Sequence, residues 1–173
     1  RFETSDHKLY ANLHCGDKLE DRLQDIRDAY QLGYLVLSGG LIGLPGQTAE
    51  SLLNDILLTK ELKAEMYSFG PVLPDGPSTD LVLKVLAVSR LVDPKNAKIV
   101  VTTGFETLDP EARRKGLLAG ANSVMLNVTP FKYRQLYNIY PNRAHGTETI
   151  EEQIKTTLEL LYSIGRAPTD LGV

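Results

Sequence analysis

The sequence predicts an α/β fold: a parallel (βα) barrel, of which this chain holds the C-terminal half. Three observations carry that expectation. Apolar runs at 34–40, 66–69, 99–101 and 123–126 alternate with amphipathic stretches of helical period. Each run leads into a polar or glycine-rich loop before the next helix, the grammar by which barrels place binding loops on one face. Finally, Arg1-Phe2-Glu3-Thr4 reads as the exit of a strand already under way.

The elements follow in order. Residues 5–17 are polar and irregular in pattern. Leu19, Leu23, Ile26 and Tyr30 repeat at helical spacing, so a helix is expected over 18–32, closed by Gly33. Strand 34–40 enters the loop Gly43-Leu44-Pro45-Gly46-Gln47-Thr48. Thr48 is a suitable N-cap for a helix to about residue 63. Ser51 stands where a full capping box would need Glu or Gln. Strand 66–69 is followed by a loop punctuated by Pro71, Pro74 and Pro77, and Ser78 or Thr79 caps a helix through Leu91. Ile99-Val100-Val101 is a buried strand that ends at Thr102-Thr103-Gly104. Asp109 is expected to cap a helix with Pro110 at its first position and Gly120 at its close. Strand 123–126, a helical turn over 133–140 and a long amphipathic helix over 147–164 complete the chain.

Continuous apolar strands between helices mean a parallel sheet covered by helices. No linker, repeat or low-complexity segment interrupts 1–173, which therefore reads as a single domain. The 173 residues fall short of the roughly 250 of a complete barrel. A half barrel leaves an apolar inward face and two edge strands with unpaired backbone groups. The missing strands are therefore expected upstream on a longer polypeptide or from another chain.

Nineteen basic and 22 acidic residues give a net charge of −3. With no basic stripe, this weighs against a nucleic-acid partner. The longest apolar run is broken by Ser38-Gly39-Gly40 and is too short for a bilayer. Cys15 is the only cysteine, so no intrachain disulfide forms and no cysteine cluster assembles from these residues alone. A cytoplasmic location is expected. Arg113-Arg114-Lys115 reads as a solvated helix face.

Several residues could carry chemistry. Arg1 and Glu3 alternate onto one face of a strand, and Arg22 lies near the start of the next helix. Two guanidiniums and a carboxylate suit a zwitterion; the alternative is a surface ion-pair cluster. In the 43–48 loop the glycines permit close approach and the helix start offers amides to an anion; the alternative is a tight structural turn. Thr102 and Thr103 could hold a carboxylate or phosphate, or simply cap the strand exit. Asn127, Thr129, Tyr133, Tyr137 and Tyr140 gather after the last strand, a spacing that ordinarily means packing. If helical, Tyr137 and Tyr140 share a face. His7, His14, Cys15 and His145 match no metal-site spacing, so no metal ligand is expected in this chain.

In their order, Arg1-Phe2-Glu3-Thr4, Gly43 to Thr48, Thr102-Thr103, Asn127-Val128-Thr129-Pro130, Tyr133-Arg134-Gln135-Leu136-Tyr137 and Tyr140-Pro141 resemble the FeFe-hydrogenase maturase (HydE-like) family of the radical S-adenosylmethionine superfamily. Biotin synthases and methylornithine synthases are relatives of that family. The resemblance covers almost the whole chain. It implies a (βα)8 barrel with a 4Fe-4S cluster and S-adenosylmethionine, generating a 5′-deoxyadenosyl radical in the service of hydrogenase diiron assembly. It implies that Arg1, Glu3 and Arg22 clamp the methionine end of the cofactor, and that Gly43 and Pro45 shape its pocket. Thr102, Thr103, Met125, Tyr137 and Tyr140 would line a cavity for a small-molecule or iron-complex substrate. The family's Cys-x3-Cys-x2-Cys motif does not occur in these 173 residues, so the chain alone is not expected to be competent. Leu41 also departs from the methionine usual in the family. Two alternatives stand: another biotin-synthase-like radical enzyme, of methylornithine synthase type, or a non-catalytic half-barrel interaction module.

Overall fold

Strands pair in parallel, in chain order, across the computed structural model of the protein, which describes residues 1–137 and 139–169. Two short helices come first, α1 (His7–Leu13) and α2 (Leu19–Gln31). Next come β1 (Leu37–Ser38), β2 (Leu41–Ile42), α3 (Ala49–Glu61), β3 (Met66–Tyr67), β4 (Gly70–Pro71) and α4 (Thr79–Val92). Beyond them lie β5 (Lys98–Val101), α5 (Thr103–Leu108), α6 (Ala112–Ala119), β6 (Ser123–Val124), α7 (Phe131–Arg134) and α8 (Ile150–Ser163). One sheet runs β1-β3-β5-β6 and a second pairs β2 with β4. Glu3 bridges Gly40 in parallel, so the strand exit at the start of the chain lies on the outer side of β1-β2. The half-barrel expectation is met by this sequential parallel order.

The two sheets are one ladder with a bend. Ser68, Gly70 and Val72 donate their amides to the carbonyls of Ser38, Gly40 and Ile42 at 2.9, 3.2 and 2.9 Å. Hydrogen bonding thus continues past the glycine pair that divides β1 from β2 and past the bend between β3 and β4. Gly39 has φ +146°, and a Cβ there would lie 2.3 Å from the Ser68 carbonyl oxygen. A Cβ on Gly40 would lie 2.7 Å from the Glu3 carbonyl oxygen. Of the strand expected over 34–40 only Leu37–Ser38 forms, and the ladder resumes beyond the glycines as β2 at Leu41–Ile42, because backbone on both sides presses against Gly39 and Gly40.

The outer face of the sheet buries Ile42, Tyr67, Phe69, Ile99 and Val101 against Leu52 and Ile56 of α3, Val82 and Leu86 of α4 and Phe105 of α5. A second cluster of Phe2, Tyr10, Leu19 and Leu62 seats α1 and α2. On β1, Leu37 is exposed while its neighbour Ser38 is fully buried, the alternation of a strand with helices on one side only.

Local chemistry departs from expectation in four places. Residues 7–13 form a helix rather than an irregular run, because the Asp6 carboxylate accepts the amides of Lys8 and Leu9. Ser51 does complete a capping box, its hydroxyl accepting the Thr48 amide at 2.9 Å. Thr102 caps an unexpected short helix, α5, and Asp109 closes the turn after it by accepting the Glu111 amide at 2.8 Å, so α6 starts only at Ala112. The turn over 133–140 divides into α7 and a 3-10 turn, Gln135–Tyr137, which leaves Tyr140 outside any helix. No helix among the described residues is long and apolar enough to cross a membrane.

Replacing Gly39 by alanine combines a conformation L-residues rarely adopt with a backbone clash. We expect a loss of about 2–5 kcal/mol in the full-length protein, measured as a lowered urea midpoint at unchanged slope.

Candidate functional site

The carboxyl ends of the strands converge on Gly70. A Cβ there would lie 3.4 Å from Thr102 Oγ1 and 3.7 Å from an Arg1 guanidinium nitrogen. Arg1, expected in a cofactor clamp, and Thr102, expected in a substrate cavity, thus face the same point from two strands. Arg1 Nη2 lies 3.2 Å from Glu3 Oε2. That carboxylate oxygen is buried and has no well-aligned donor. Glu3 itself has φ +66°, an unusual backbone for a non-glycine residue that sets its side chain beside Arg1. A buried carboxylate oxygen with open lone pairs, next to a guanidinium, is the donor and acceptor set that an amino-acid zwitterion needs. The residues present fit the methionine end of S-adenosylmethionine.

Other expected residues are placed differently. Arg22 approaches the Tyr10 phenol, which raises its already high pKa. No hydrogen bond of ordinary geometry joins them, and the buried phenol oxygen is without a partner. No ion pair joins Arg22 to Glu3 among the described residues. The loop does not offer its first amides to an anion. Gln47 Oε1 accepts the Gly43 and Leu44 amides at 2.7 and 3.2 Å, and Gln47 Nε2 donates to the Leu41 carbonyl at 2.8 Å. Ser51 and Thr48 take each other's amides in the capping box. Gly43 has φ +91° and packs against the Pro77 ring, and Pro45 is exposed at the tip. These two residues shape the loop through its backbone rather than as an amide cradle.

Thr102 Oγ1 also accepts the Phe105 amide at 3.3 Å, which leaves its hydroxyl proton free for a ligand. Thr103 sits in the first turn of α5, where its carbonyl accepts Thr107 Oγ1. Met125 follows β6 and is half exposed; Tyr137 is also exposed. Because the helix breaks at 137, Tyr137 and Tyr140 do not share the helical face expected of them.

A buried polar network holds the segment that carries these residues. Arg113 pairs with Glu106 and donates to Thr157 Oγ1 and the Met125 carbonyl, both at 2.9 Å. His145 lies between Glu106 Oε2 at 2.9 Å and Glu148 Oε2 at 2.6 Å. Hydrogen bonding to Glu106 raises the His145 pKa, against a smaller opposing effect of burial. Buried Arg134 donates to the carbonyls of Asn127, Thr129 and Glu148. Buried Gln153 accepts the Asn127 amide at 2.8 Å. Arg113 is therefore no solvated helix residue, although Arg114 beside it is exposed and Lys115 pairs with Asp109 at 2.7 Å. Arg113 points inward to partners on α5, α8 and the exit of β6, which local sequence does not reveal.

No family model matches the chain. The [FeFe] hydrogenase maturase subunit HydE of Thermotoga maritima is 34% identical over 177 aligned positions, 97% of this chain and 51% of that protein. The 3-methylornithine synthase of Methanosarcina acetivorans is 27% identical over 96% of this chain, and the biotin synthase of Alkaliphilus metalliredigens 29% identical over 72%. The chain is HydE-like, within the radical S-adenosylmethionine superfamily. It spans about half the length of the HydE relative and 41% and 48% of the biotin synthase and methylornithine synthase.

The HydE-like chain has one cysteine, Cys15, which is free and exposed. No group of three or more His, Cys, Asp or Glu is placed to hold a metal ion among the described residues. They therefore do not fit an iron-sulfur cluster. A cavity of about 780 Å³ lies beside β6, lined by Leu117, Val124, Leu126, Ile154, Leu158 and Leu161. It contains none of the expected site residues. It marks the free edge of the sheet, where α6 and α8 leave the flank of β6 uncovered.

Two predictions follow from the network. Arg113→Ala removes the charged partner of a buried carboxylate and should cost about 3 kcal/mol, whereas Arg114→Ala stays within about 0.5 kcal/mol, both read by chemical denaturation. For His145 the folded pKa is raised, so its contribution is complete below the unfolded value of 6.5 and is lost as pH rises through the folded pKa. Amide exchange at 143–149, corrected for intrinsic pH dependence, should accelerate over that interval, and His145→Gln should abolish the step.

Proposed function

We propose that this chain forms the C-terminal half of a radical S-adenosylmethionine enzyme of HydE type, acting in assembly of the hydrogenase diiron cofactor in the cytoplasm. The observation that carries the reading is 34% identity to HydE along 97% of the chain; the Arg1-Glu3 pair supplies chemistry consistent with it. In this reading Glu3 takes the ammonium of the cofactor's methionine end, and Arg1 takes its carboxylate bidentately. Thr102 and Thr103 present hydroxyls to an anionic group of a small-molecule or iron-complex substrate. Met125, Tyr137 and Tyr140 supply apolar and aromatic walls. A preceding barrel half, on the same polypeptide or another chain, contributes the cluster's cysteines and closes the barrel. Together the cofactors would supply a 5′-deoxyadenosyl radical, and this chain's residues bind, orient and exclude water.

A methylornithine synthase-type reaction is the second reading, favoured by a similarity that spans 96% of the chain. Turnover by the full-length protein separates the two: activation of an immature hydrogenase supports the first, and formation of 3-methylornithine the second.

Glu3→Ala in the full-length protein should weaken S-adenosylmethionine binding by about 1.5–3 kcal/mol, the cost of losing a charged hydrogen-bond partner. The far-ultraviolet circular dichroism should stay unchanged. Calorimetry that returns the unmodified protein's affinity removes Glu3 from the cofactor site.

A further inference from the structure

We propose that Asp55, buried on α3, is a positioning residue that sets the strand exit bearing Arg1 and Glu3 against the 43–48 loop. This rests on the reading of those two segments as the cofactor site. Asp55 is fully buried on the face of α3 that also carries Leu52, Ile56 and Thr59. An apolar residue would fill that position without the desolvation a carboxylate suffers, and burial does push the Asp55 carboxyl pKa up.

The hydrogen bonds account for the carboxylate's presence. Oδ1 accepts both the Ser5 amide and, at 2.6 Å, the Ser5 hydroxyl, two residues beyond Glu3. Oδ2 accepts Gln47 Nε2 at the long distance of 3.5 Å. The same Gln47 side chain holds the Gly43 and Leu44 amides and the Leu41 carbonyl. Oδ2 also lies 3.5 Å from where a Gly40 Cβ would stand, beside the glycine whose backbone bridges Glu3. One side chain therefore touches the strand exit directly and reaches the loop through Gln47. Neither segment has another side chain joining it to the other among the described hydrogen bonds.

The test uses the full-length protein with Asp55→Ala, Asp55→Asn and Gln47→Ala, read by amide hydrogen exchange and by calorimetric titration with S-adenosylhomocysteine. Asp55→Ala should speed exchange at Ser5 and at Gly43 and Leu44 together, and weaken binding about tenfold. Asp55→Asn keeps an acceptor for Ser5 but turns a donor toward Gln47, so its effect should centre on Gly43 and Leu44. Gln47→Ala probes the link from the other end and carries the test should Asp55→Ala fail to fold; it should speed exchange at Ser5. Faster exchange confined to 41–44 in Gln47→Ala, with Ser5 and the affinity unmoved, overturns the proposal. So does a lowered melting temperature in Asp55→Ala with unchanged affinity. If the unmodified protein does not bind S-adenosylhomocysteine, the cofactor reading fails. Exchange coupling between Ser5 and the loop then decides the role of Asp55 by itself.

Discussion

Backbone meets backbone at Gly39 and Gly40, in a space that no side chain could share. The Ser68 carbonyl presses on one glycine and the Glu3 carbonyl on the other. Three neighbouring strands are drawn together there. The Leu41 amide donates to the Glu3 carbonyl at 2.7 Å, and the Gly70 amide to the Gly40 carbonyl at 3.2 Å. The bend at Gly39 carries β2 and β4 away from the line of β1 and β3 without breaking the ladder. The same approach sets Arg1 over Gly70, on which Thr102 also converges. Position in the site is in this sense a consequence of glycine in the sheet.

Polar groups inside the structure are paired with few exceptions, and the pairs join elements that hydrophobic packing alone would leave free to slide. Arg113 ties α6 to α5, α8 and the end of β6. Arg134 and Gln153 collect carbonyls and an amide from the irregular segment after β6. A guanidinium can satisfy several carbonyls at once because its donors are fixed in a plane. The segment carrying Met125 and Tyr137 thus has a defined path although little of it is regular secondary structure. Glu3 Oε2, like the Tyr10 phenol oxygen and Ser38 Oγ, is a buried oxygen without a well-aligned partner, and of the three it is the one that lies beside a guanidinium, that of Arg1.

The sheet has two lateral boundaries. On one, Glu3 pairs with Gly40 through a single bridge; on the other, β6 ends the order beside the cavity of about 780 Å³. The similarity to HydE, across about half that protein's length, is consistent with strands beyond both boundaries.

The alternation of strand and helix was legible in the sequence because period and capping are local properties. Thr48 caps α3 where the pattern places it and Gly120 ends α6, whereas the last helix, expected from 147, starts at Ile150 behind the Thr149 cap. Arg1 and Glu3 were legible as a pair from strand alternation, although it is the left-handed backbone of Glu3, at φ +66°, that sets its side chain beside Arg1. Ser51 in a capping box and Asp6 as an N-cap were missed, although their signals were local: a serine hydroxyl can serve where a longer side chain is usual. Arg113, His145 and Gln47 were not legible. Their partners lie on other elements or depend on a loop folding back, and nothing in the spacing of a basic run tells a buried guanidinium from a solvated one. The convergence of Arg1 and Thr102 on Gly70 was likewise hidden, since it depends on how far three strands bend. Sequence by itself determined the order of elements and the chemistry each strand end carries, because both depend on neighbours along the chain. Only the tertiary structure decided which of those groups meet and which charges are buried, because that depends on distances between residues remote in sequence.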